Sequence, residues 1–542
     1  MTEFNLIDQP WIPVLAGDGT FREIGIREAL LHAAEFTRLA AELPTISTAI
    51  QRLLQAVLLR AAGPLPRTPE AKARLWGEWW EKGGLPRQNV DAYLDQWHDR
   101  FNLFDTRYPF FQVPNLTLCK EPGPGLTKLI ADVPANNKLF VTRAGSGMSS
   151  LTFTEAAQWL VHAQAFDCAG NKSGVVGDAR VYMNKSMNLG PTAWTGNLGV
   201  ISLEGATLAE TMLLNLCLPA TSTEDRPIWE TAPQRIASDA IYPIPRGAAQ
   251  AWTWPSRMIR LIPSGESVVN VVLSNGEKLS AENRFAEEPM TAWRPTSTKA
   301  NVFKPFRLGP GYAAWQGLSS LLAESTGAAD MKARPAGVLE WLGLLRNLGE
   351  LPERHAVAMH YTAMTYGKNS STFEQVFDDT VPASVAILGS ARLRRIAVLA
   401  PGDARKGVMA LRDFAKHVAL ATGDSGDDVA TKLADLEAGA YDTLRPLFEE
   451  WLQGLTPESS QEAALTRWQV QLTTALKQIA TEHARLAPTS AAVGRLIRLT
   501  NGEVHMDVGL AMRWFNGALR RNFPLAHPAL NKEDKADATV NE

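Results

Sequence analysis

The hydrophobic period of the sequence changes near Pro382, and this change constrains the fold more than any other feature. After Pro382, apolar side chains recur at helical spacing in four or five segments that end at Gly, Pro, Asp or Ser. Helices joined by such short links pack into a bundle. The chain of 542 residues also exceeds the size at which one hydrophobic core keeps growing. We therefore expect a second domain, a helical (four-helix) bundle at residues 381–530, followed by a polar, disordered tail at residues 531–542.

The first 380 residues mix helical and strand periods. The stretch "WIPVLAGDGTFREIGI" predicts an N-terminal hairpin with its turn at residues 17–19. Amphipathic helices are predicted next, at residues 45–60, 68–82 and 90–100. Further on, "SVVNVVLSNGEKLS" predicts a strand, an Asn275-Gly276 turn and a returning strand. We expect the fold class to be α+β, with a large mixed domain at residues 1–380 whose long loops carry function.

Composition limits the classes of function. The formal net charge is -3, with 54 basic and 57 acidic residues, so any contact with nucleic acid has to be made by local loops or one basic face. The three cysteines are far apart and offer no metal-ligand spacing, which fits a reducing compartment. No apolar run approaches the roughly 20 residues that span a bilayer, and the N-terminus lacks a secretory pattern. We expect a cytoplasmic protein with no membrane partner and no bound metal.

Motifs for catalysis are missing from the sequence. It contains no Gly-x-Ser-x-Gly elbow, no His-Glu-x-x-His, no Walker-type phosphate loop and no Gly-x-Gly-x-x-Gly after a strand. The adjacent His98 and Asp99 leave open a metal-dependent phosphohydrolase, although a dipeptide match is weak evidence and a surface or capping role is the simpler explanation of the pair. The sixteen tryptophans leave open a scaffold that only binds other proteins. We expect no catalysis and no cofactor.

Three polar loops attract attention instead. "TYGKNSSTF", residues 365–373, has the composition of a hairpin turn. "FDCAGNKSGVVGD" follows a predicted helix, and its exposed amides and lysine suit either close approach to a phosphate backbone or a helix C-cap. "WRPTSTKANVFKPF" interleaves basic and aromatic residues, a pattern that binds nucleic acid or forms a solvated edge strand.

Four further strings occur in a characteristic order: "FNLIDQPWIPV" at residues 4–14, "FNLFDTRYPFFQV" at 101–113, "LLNLCLP" at 213–219 and "EEPMTAWR" at 287–294. These strings and their order resemble the large subunit of the type I-E CRISPR surveillance complex, Cascade (the CasA family). The resemblance extends over nearly the whole chain except its tail. It implies a non-catalytic subunit that recognises a short protospacer-adjacent motif (PAM) in duplex DNA, starts strand separation and recruits the helicase-nuclease, in antiviral defence.

The resemblance assigns roles to four loops of this sequence. The glycine loop that faces the PAM minor groove corresponds to Ala169, Gly170, Asn171 and Lys172. The lysine finger corresponds to Lys299, with Lys304 as the alternative. The wedge hairpin under the last PAM base pair corresponds to Lys368, Asn369, Ser370 and Ser371, where the family usually carries glutamine or asparagine. The loop that meets the crRNA 5′ handle corresponds to Phe140, Val141 and Thr142, and the family often has Asn at the last of these positions.

The implied partners are the crRNA, PAM-containing duplex DNA, the displaced non-target strand, the other Cascade subunits (backbone, small and handle-binding) and the helicase-nuclease. Basic residues of the bundle either form a path for the displaced strand or lie on a solvated helix surface paired with acids. These residues are Arg392, Arg394, Arg395, Arg405, Lys406, Arg495, Arg498, Arg520 and Arg521. The cysteine cluster of some relatives is missing from "RLIPSGESVVNVVLSNGE", so no structural zinc is expected.

Overall fold

The computed structural model describes most of the chain in two compact units. The described residues are 3–121, 123, 125–131, 149–187, 192–218, 224–237, 244–296, 301–309, 311–323, 333–424, 426–499 and 502–527. Among them, the first unit comprises residues up to 314, 320–323 and 333–381, and the second comprises 315–319 and the residues from 382 onward. The predicted crRNA loop at Phe140, Val141 and Thr142, the predicted finger residue Lys299 and the predicted tail lie outside the described residues.

Helices and strands are interspersed before residue 382. The strands are β1 (Ile12–Ala16), β2 (Phe21–Ile24), β3 (Phe36–Leu39), β4 (Leu151–Thr152), β5 (Lys172–Ser173), β6 (Val181–Tyr182), β7 (Lys185–Ser186), β8 (Gly199–Glu204), β9 (Arg257–Ser264), β10 (Ser267–Asn275), β11 (Trp293–Pro295), β12 (Phe303–Pro305), β13 (Ala356–Tyr366) and β14 (Phe373–Ser384). The helices are α1 (Ile26–Leu31), α2 (Pro44–Ala61), α3 (Pro69–Glu81), α4 (Arg87–Trp97), α5 (Phe153–Phe166), α6 (Leu208–Leu214), α7 (Ala248–Trp252), α8 (Leu318–Leu321) and α9 (Gly337–Leu348). This mixed architecture confirms the predicted α+β class.

The N-terminal predictions are confirmed. β1 and β2 pair antiparallel across the predicted turn, and α2, α3 and α4 occupy the three predicted helical stretches within a few residues. Helix α2 begins with Pro44, whose fixed φ suits the first turn, and almost all of its side chains are buried. It packs against α5 and α7, so α2 lies at the centre of this unit's core.

The predicted hairpin at Asn275-Gly276 is wrong. Strand β10 does end at Asn275, but its antiparallel partner is β9, which precedes it, and the turn between them lies at Gly265 with φ 59°. After Asn275 the chain continues beside the segment before β9, because Gly276 N donates to Ser256 O at 3.0 Å. A Cβ at Gly276 would lie 2.4 Å from Pro255 O, so this glycine serves close backbone approach and not chain reversal.

The reversal predicted for "TYGKNSSTF" is confirmed. Strands β13 and β14 flank it and form a sheet in the order β14-β13-β8. The tip between them is a single 3-10 turn at Lys368–Ser370. The long hairpin therefore projects the sequence-predicted tip from a sheet whose other edge, β8, is almost fully buried.

The second unit confirms the predicted helical bundle and adds a hairpin that was not predicted. Its elements are α10 (Val385–Gly389), α11 (Ala391–Ala397), α12 (Leu399–Thr422), α13 (Asp427–Gln453), α14 (Gln461–Leu486), α15 (Thr489–Val493), β15 (Arg495–Leu499), β16 (Gly502–Met506) and α16 (Val508–Asn522). Helix α12 packs against α13, α14 and α16, and the rings of Trp451 and Trp468 meet at 5.7 Å in the core. Arg495 and Arg498 thus lie on strand β15 and not on a helix.

Candidate nucleic-acid interface

The hairpin tip is held in shape by its own backbone. Gly367 N donates to Thr372 O at 3.0 Å, which closes the turn. Within it, Asn369 and Ser370 adopt left-handed φ values of 57° and 53°, a conformation that asparagine tolerates better than most residues. The Ser371 hydroxyl donates to Lys368 O at 2.8 Å. Lys368 and Asn369 are exposed, so the tip offers a cation and an amide on a fixed backbone.

The glycine loop lies directly against this tip. Ala169 N donates to Ser370 O at 2.7 Å. Gly170 has φ 114°, which only glycine adopts readily, and a Cβ added there would lie 3.6 Å from the Ser371 Cβ. Because Asn171 is exposed next to this contact, the loop and the tip present one continuous polar surface.

A half-buried tyrosine anchors the hairpin to the helix before the glycine loop. The Tyr366 hydroxyl donates to Phe166 O, the last residue of α5, at 2.7 Å. Burial, with a smaller effect from nearby Asp167, raises the pKa of Tyr366 well above its ordinary value, so the phenol keeps its proton and remains a donor. A Cβ at Gly196 would lie 2.1 Å from this hydroxyl, so Gly196 makes room for the anchor.

Lys172 has a different environment from the one its sequence context suggests. Its amine lies 2.7 Å from Asp167 Oδ2, and both side chains are only 6% exposed. Arg257 on β9 also donates to Asp167 Oδ2, and its Nη2 donates to Cys168 O at 2.9 Å. Burial alone would raise the pKa of Asp167, but Lys172 and Arg257 outweigh it and hold that pKa below its ordinary value. The Lys172 side chain thus faces away from solvent and anchors the glycine loop to Asp167.

A histidine connects all three strands of the sheet that carries the hairpin. On β13, His360 Nε2 lies 2.5 Å from Asp378 Oδ1 of β14, and its Nδ1 lies 3.2 Å from Glu204 Oε1 of β8. Burial disfavours the imidazolium, but the hydrogen bond to Asp378 and the charge of Glu204 outweigh burial and raise the pKa of His360 above its ordinary value.

This cluster makes the stability of the hairpin sheet depend on pH. Because the pKa of His360 is higher in the folded than in the unfolded state, its contacts with Asp378 and Glu204 stabilise the fold fully below about pH 6.5, the pKa of an unfolded histidine. This stabilisation is lost as the pH rises through the folded-state pKa. We expect His360→Gln to destabilise this unit at pH 6 by roughly 1.5–3 kcal/mol, as for hydrogen bonds to charged groups, and by less at pH 9. Thermal midpoints of both proteins at the two pH values measure the effect. An equal difference at both pH values would contradict it.

A polar cleft, lined by three basic and two acidic side chains, opens beside the hairpin. Strands β11 and β12 form a two-stranded ribbon in which Arg294 and Lys304 are direct partners. The ribbon and the hairpin enclose a cleft of about 840 Å³. Residues lining it include Arg294, Lys304 and Arg307 from the ribbon side and Thr365, Tyr366, Ser370 and Glu374 from the hairpin side. Lys304, the alternative finger residue, is exposed and lies 3.7 Å from Glu282, so it reaches the cleft as a loosely paired surface cation.

Of the pair behind the enzymatic alternative, His98 has a structural role in the fold. His98 Nε2 lies 2.7 Å from Asp8 Oδ2, and the Asn5 amide donates to His98 O at 2.9 Å. The neighbouring Asp99 side chain is fully exposed. His98 therefore ties the N-terminal segment to the end of α4. Across the described ranges, no group of three or more His, Cys, Asp or Glu side chains is arranged to hold a metal ion, and no helix is long and apolar enough to cross a membrane.

Sequence reasoning missed the residues that position the two loops. Asp167, Arg257 and Tyr366 carry no motif, and each acts on a partner far along the chain: 90 residues separate Asp167 from Arg257, and 200 separate Phe166 from Tyr366. Asn275, predicted as a turn residue, instead donates to Gly170 O at 3.4 Å and Ser186 O at 3.2 Å. No local signal marks such contacts, because they exist only once β9, β10 and β13 are packed.

Comparison with known proteins places the chain in a family. The family model for CRISPR-associated protein Cse1 matches residues 5–479. The CRISPR-associated protein CasA/Cse1 of Thermus thermophilus is 35% identical over 373 residues, which cover 66% of this chain and 69% of that protein. The crystal structure of Thermobifida fusca Cse1 is 34% identical, with a TM-score of 0.86 over 97% of this chain and 99% of that one.

The same fold occurs in a larger assembly. A chain of a structure described as a CRISPR RNA-guided surveillance complex superposes with a TM-score of 0.65 at 20% identity, over 89% of this chain and 99% of that one, and this likeness shows the fold alone. The family match and the two relatives above one-third identity carry the assignment. The chain therefore belongs to the CRISPR-associated Cse1 family, also called CasA, and this confirms the resemblance predicted from its sequence.

Proposed function

We propose that this chain recognises the PAM in duplex DNA and begins target strand separation as the large subunit of a crRNA-guided type I-E complex. The observation that carries the proposal is the hydrogen bond between Ala169 N and Ser370 O. It joins the loop that would read the minor groove to the hairpin that would part the first base pair. A reader and a wedge in direct contact act on adjacent base-pair steps, as recognition followed by melting requires.

The chemistry of this surface suits a degenerate reading of the minor groove. That groove distinguishes A·T from G·C pairs but little more, so a short loop with exposed amides tolerates several PAM sequences. Unstacking one step costs a few kcal/mol and must be offset by contacts to the opened DNA. The cleft beside the hairpin supplies Arg294, Lys304 and Arg307 for this purpose, since each can pair with phosphate.

The remaining partners follow from the same proposal. The crRNA 5′ handle, the backbone, small and handle-binding subunits, the displaced strand and the helicase-nuclease are the partners that a large Cascade subunit needs. Membership of the CRISPR-associated Cse1 family supports assembly with RNA and protein. Long-range sequence reading falls to base pairing with the guide, so the subunit itself needs no large positive charge, in keeping with its net charge of -3. We propose no catalytic role.

The proposal is tested by reconstituting the crRNA complex with and without this subunit. Its affinity is then measured, at one salt concentration, for a library of duplex targets that differ only in the PAM. We expect at least tenfold discrimination between favoured and disfavoured PAMs in the complete complex and none without the subunit, because each wrong base pair costs about 1–3 kcal/mol. PAM preference that persists without the subunit would overturn the proposal and favour the scaffold alternative.

A further inference from the structure

A small hairpin extends the surface of the glycine loop away from the wedge. Strands β6 and β7 pair antiparallel, and β7 pairs in turn with β5, the continuation of the glycine loop. The Met183-Asn184 turn joins β6 to β7 with φ values of 49° and 60°. Gly174 N donates to Asn184 O at 2.8 Å, so the tip of this hairpin lies against the chain only four residues after Gly170.

The strand pairing divides this sheet into an inner and an outer face. Lys172 pairs with Ser186, and both are buried, so their side chains form the inner face. Side chains alternate along a strand, and therefore the cross-strand partners Ser173, Lys185 and Tyr182 belong to the outer face. Lys185 is exposed and Tyr182 is 61% exposed. Asn171 lies two residues before Ser173, so the exposed amide of the glycine loop continues this outer face.

The β6–β7 hairpin is anchored to the end of strand β10. The Arg180 side chain, 6% exposed, pairs with Asp178 and donates to Asn275 O at 2.6 Å and Gly276 O at 2.9 Å. A Cβ at Gly174 would lie 2.8 Å from the Asn184 backbone, so this glycine allows the close approach of the two segments. The tip itself is 75% exposed at Met183, a bulky residue held at positive φ. Positive φ at both Met183 and Asn184 is the geometry that a two-residue hairpin turn requires, so the turn holds the exposed Met183 side chain at the end of the hairpin.

We propose that the segment Tyr182–Lys185 contacts the duplex that flanks the PAM on the side away from the protospacer. This inference rests on the proposed function of the glycine loop. Ser370 of the wedge touches Ala169 at one end of the loop, and the β6–β7 tip touches Gly174 at the other. Ala169 and Gly174 are five positions apart, so the two contacts lie at most about 17 Å from each other along the chain, or about five base pairs at 3.4 Å each.

Each exposed side chain has a defined part in this contact. Lys185 neutralises a phosphate, and Tyr182 beside it offers a hydroxyl to the sugar–phosphate backbone, a common position-fixing contact. Met183 supplies an apolar tip of the kind that enters a minor groove. The contact would orient the duplex before melting and would carry no sequence information.

The test uses the reconstituted complex and two targets with the same PAM and protospacer. One target has 12 base pairs of duplex beyond the PAM, and the other ends one base pair beyond it. We expect wild type to bind the long-flank target roughly three- to tenfold more tightly, and Lys185→Gln to remove this difference. In Lys185→Gln, the negative slope of log K against log salt should become shallower by about 0.9 on the long-flank target, the value for one phosphate contact. Lys185→Arg should restore both the tighter binding of the long-flank target and the wild-type salt dependence.

Controls separate this inference from the proposed function. Lys82→Gln removes another lysine of the same unit, 74% exposed, and should change neither quantity. Met183→Asn, which keeps a residue that tolerates positive φ, should weaken only long-flank binding. Two outcomes would overturn the flank contact while PAM recognition stands. In the first, wild type discriminates PAMs but the length of the flanking duplex has no effect. In the second, Lys185→Gln weakens binding to both targets equally. If wild type does not discriminate PAMs, both are overturned.

Discussion

Removing the side chains of the hairpin tip is expected to slow target opening at least tenfold while leaving duplex capture within about threefold of wild type. The variant is Lys368→Ala with Asn369→Gly, and glycine keeps the left-handed φ of 57° that the turn needs. Unstacking a base step costs a few kcal/mol, and each 1.4 kcal/mol lost from the compensating contacts is a factor of ten. Fluorescence of 2-aminopurine at the first protospacer position measures opening.

A pre-opened target distinguishes the wedge from a general binding defect. On DNA with a bubble at the first protospacer pairs, the tip variant should bind as wild type, because no step remains to be unstacked. Asn115→Gly is the matched control, since Asn115 is also an exposed asparagine at φ 57° but lies outside both loops. Equal losses on duplex and bubble targets would mean that the tip contributes affinity and does not separate strands.

The second large effect is expected at Asp167, the carboxylate that neutralises two buried cations. Asp167→Asn leaves Lys172 and Arg257 buried without their counter-charge, and breaking a buried pair in this way costs about 3–5 kcal/mol. We expect a lower thermal midpoint. We also expect at least a tenfold loss of affinity for PAM targets, measured below that midpoint, because the glycine loop loses the ion pairs that anchor it. Unchanged stability would show that the cluster does not hold the loop.

The stability that Asp167 contributes depends on pH with the opposite sign to the stability that His360 contributes. A folded pKa held below the ordinary Asp value means that the stabilisation is present above about pH 3.9 and is lost as the pH falls through the folded pKa. The stability difference between wild type and Asp167→Asn should therefore be constant from neutral pH to about pH 5 and shrink only in stronger acid.

Lys172→Met shows whether the lysine contacts DNA or only Asp167. The variant removes the amine but keeps the pair between Arg257 and Asp167, so its stability loss should be smaller than that of Asp167→Asn. If the lysine acts only through Asp167, the slope of log K against log salt stays at its wild-type value. A negative slope that becomes shallower by about 0.9 would instead assign Lys172 a phosphate contact and would revise the position of its side chain in the complex.

Local pattern was sufficient for much of the fold. The β1–β2 hairpin, helices α2 to α4, the bundle helices and the β13–β14 reversal each follow from a period and a stop that lie within a few residues of one another. The Asn275-Gly276 turn shows where this reasoning fails. An Asn-Gly pair is the strongest short hairpin signal, yet here β10 pairs with the strand before it, and Gly276 serves a close approach to Pro255.

The sequence by itself determined the family, through "FNLIDQPWIPV" and the strings that follow it, and it identified the two loops as polar and glycine-containing. Only the tertiary structure decided that these loops touch, that Lys172 faces inward to Asp167, and that Lys185 shares an outer face with Asn171. The physical reason is that side-chain direction and loop proximity depend on packing between segments up to 200 residues apart. Composition and period report the local chain, whereas an interface made of several loops exists only after the chain has folded.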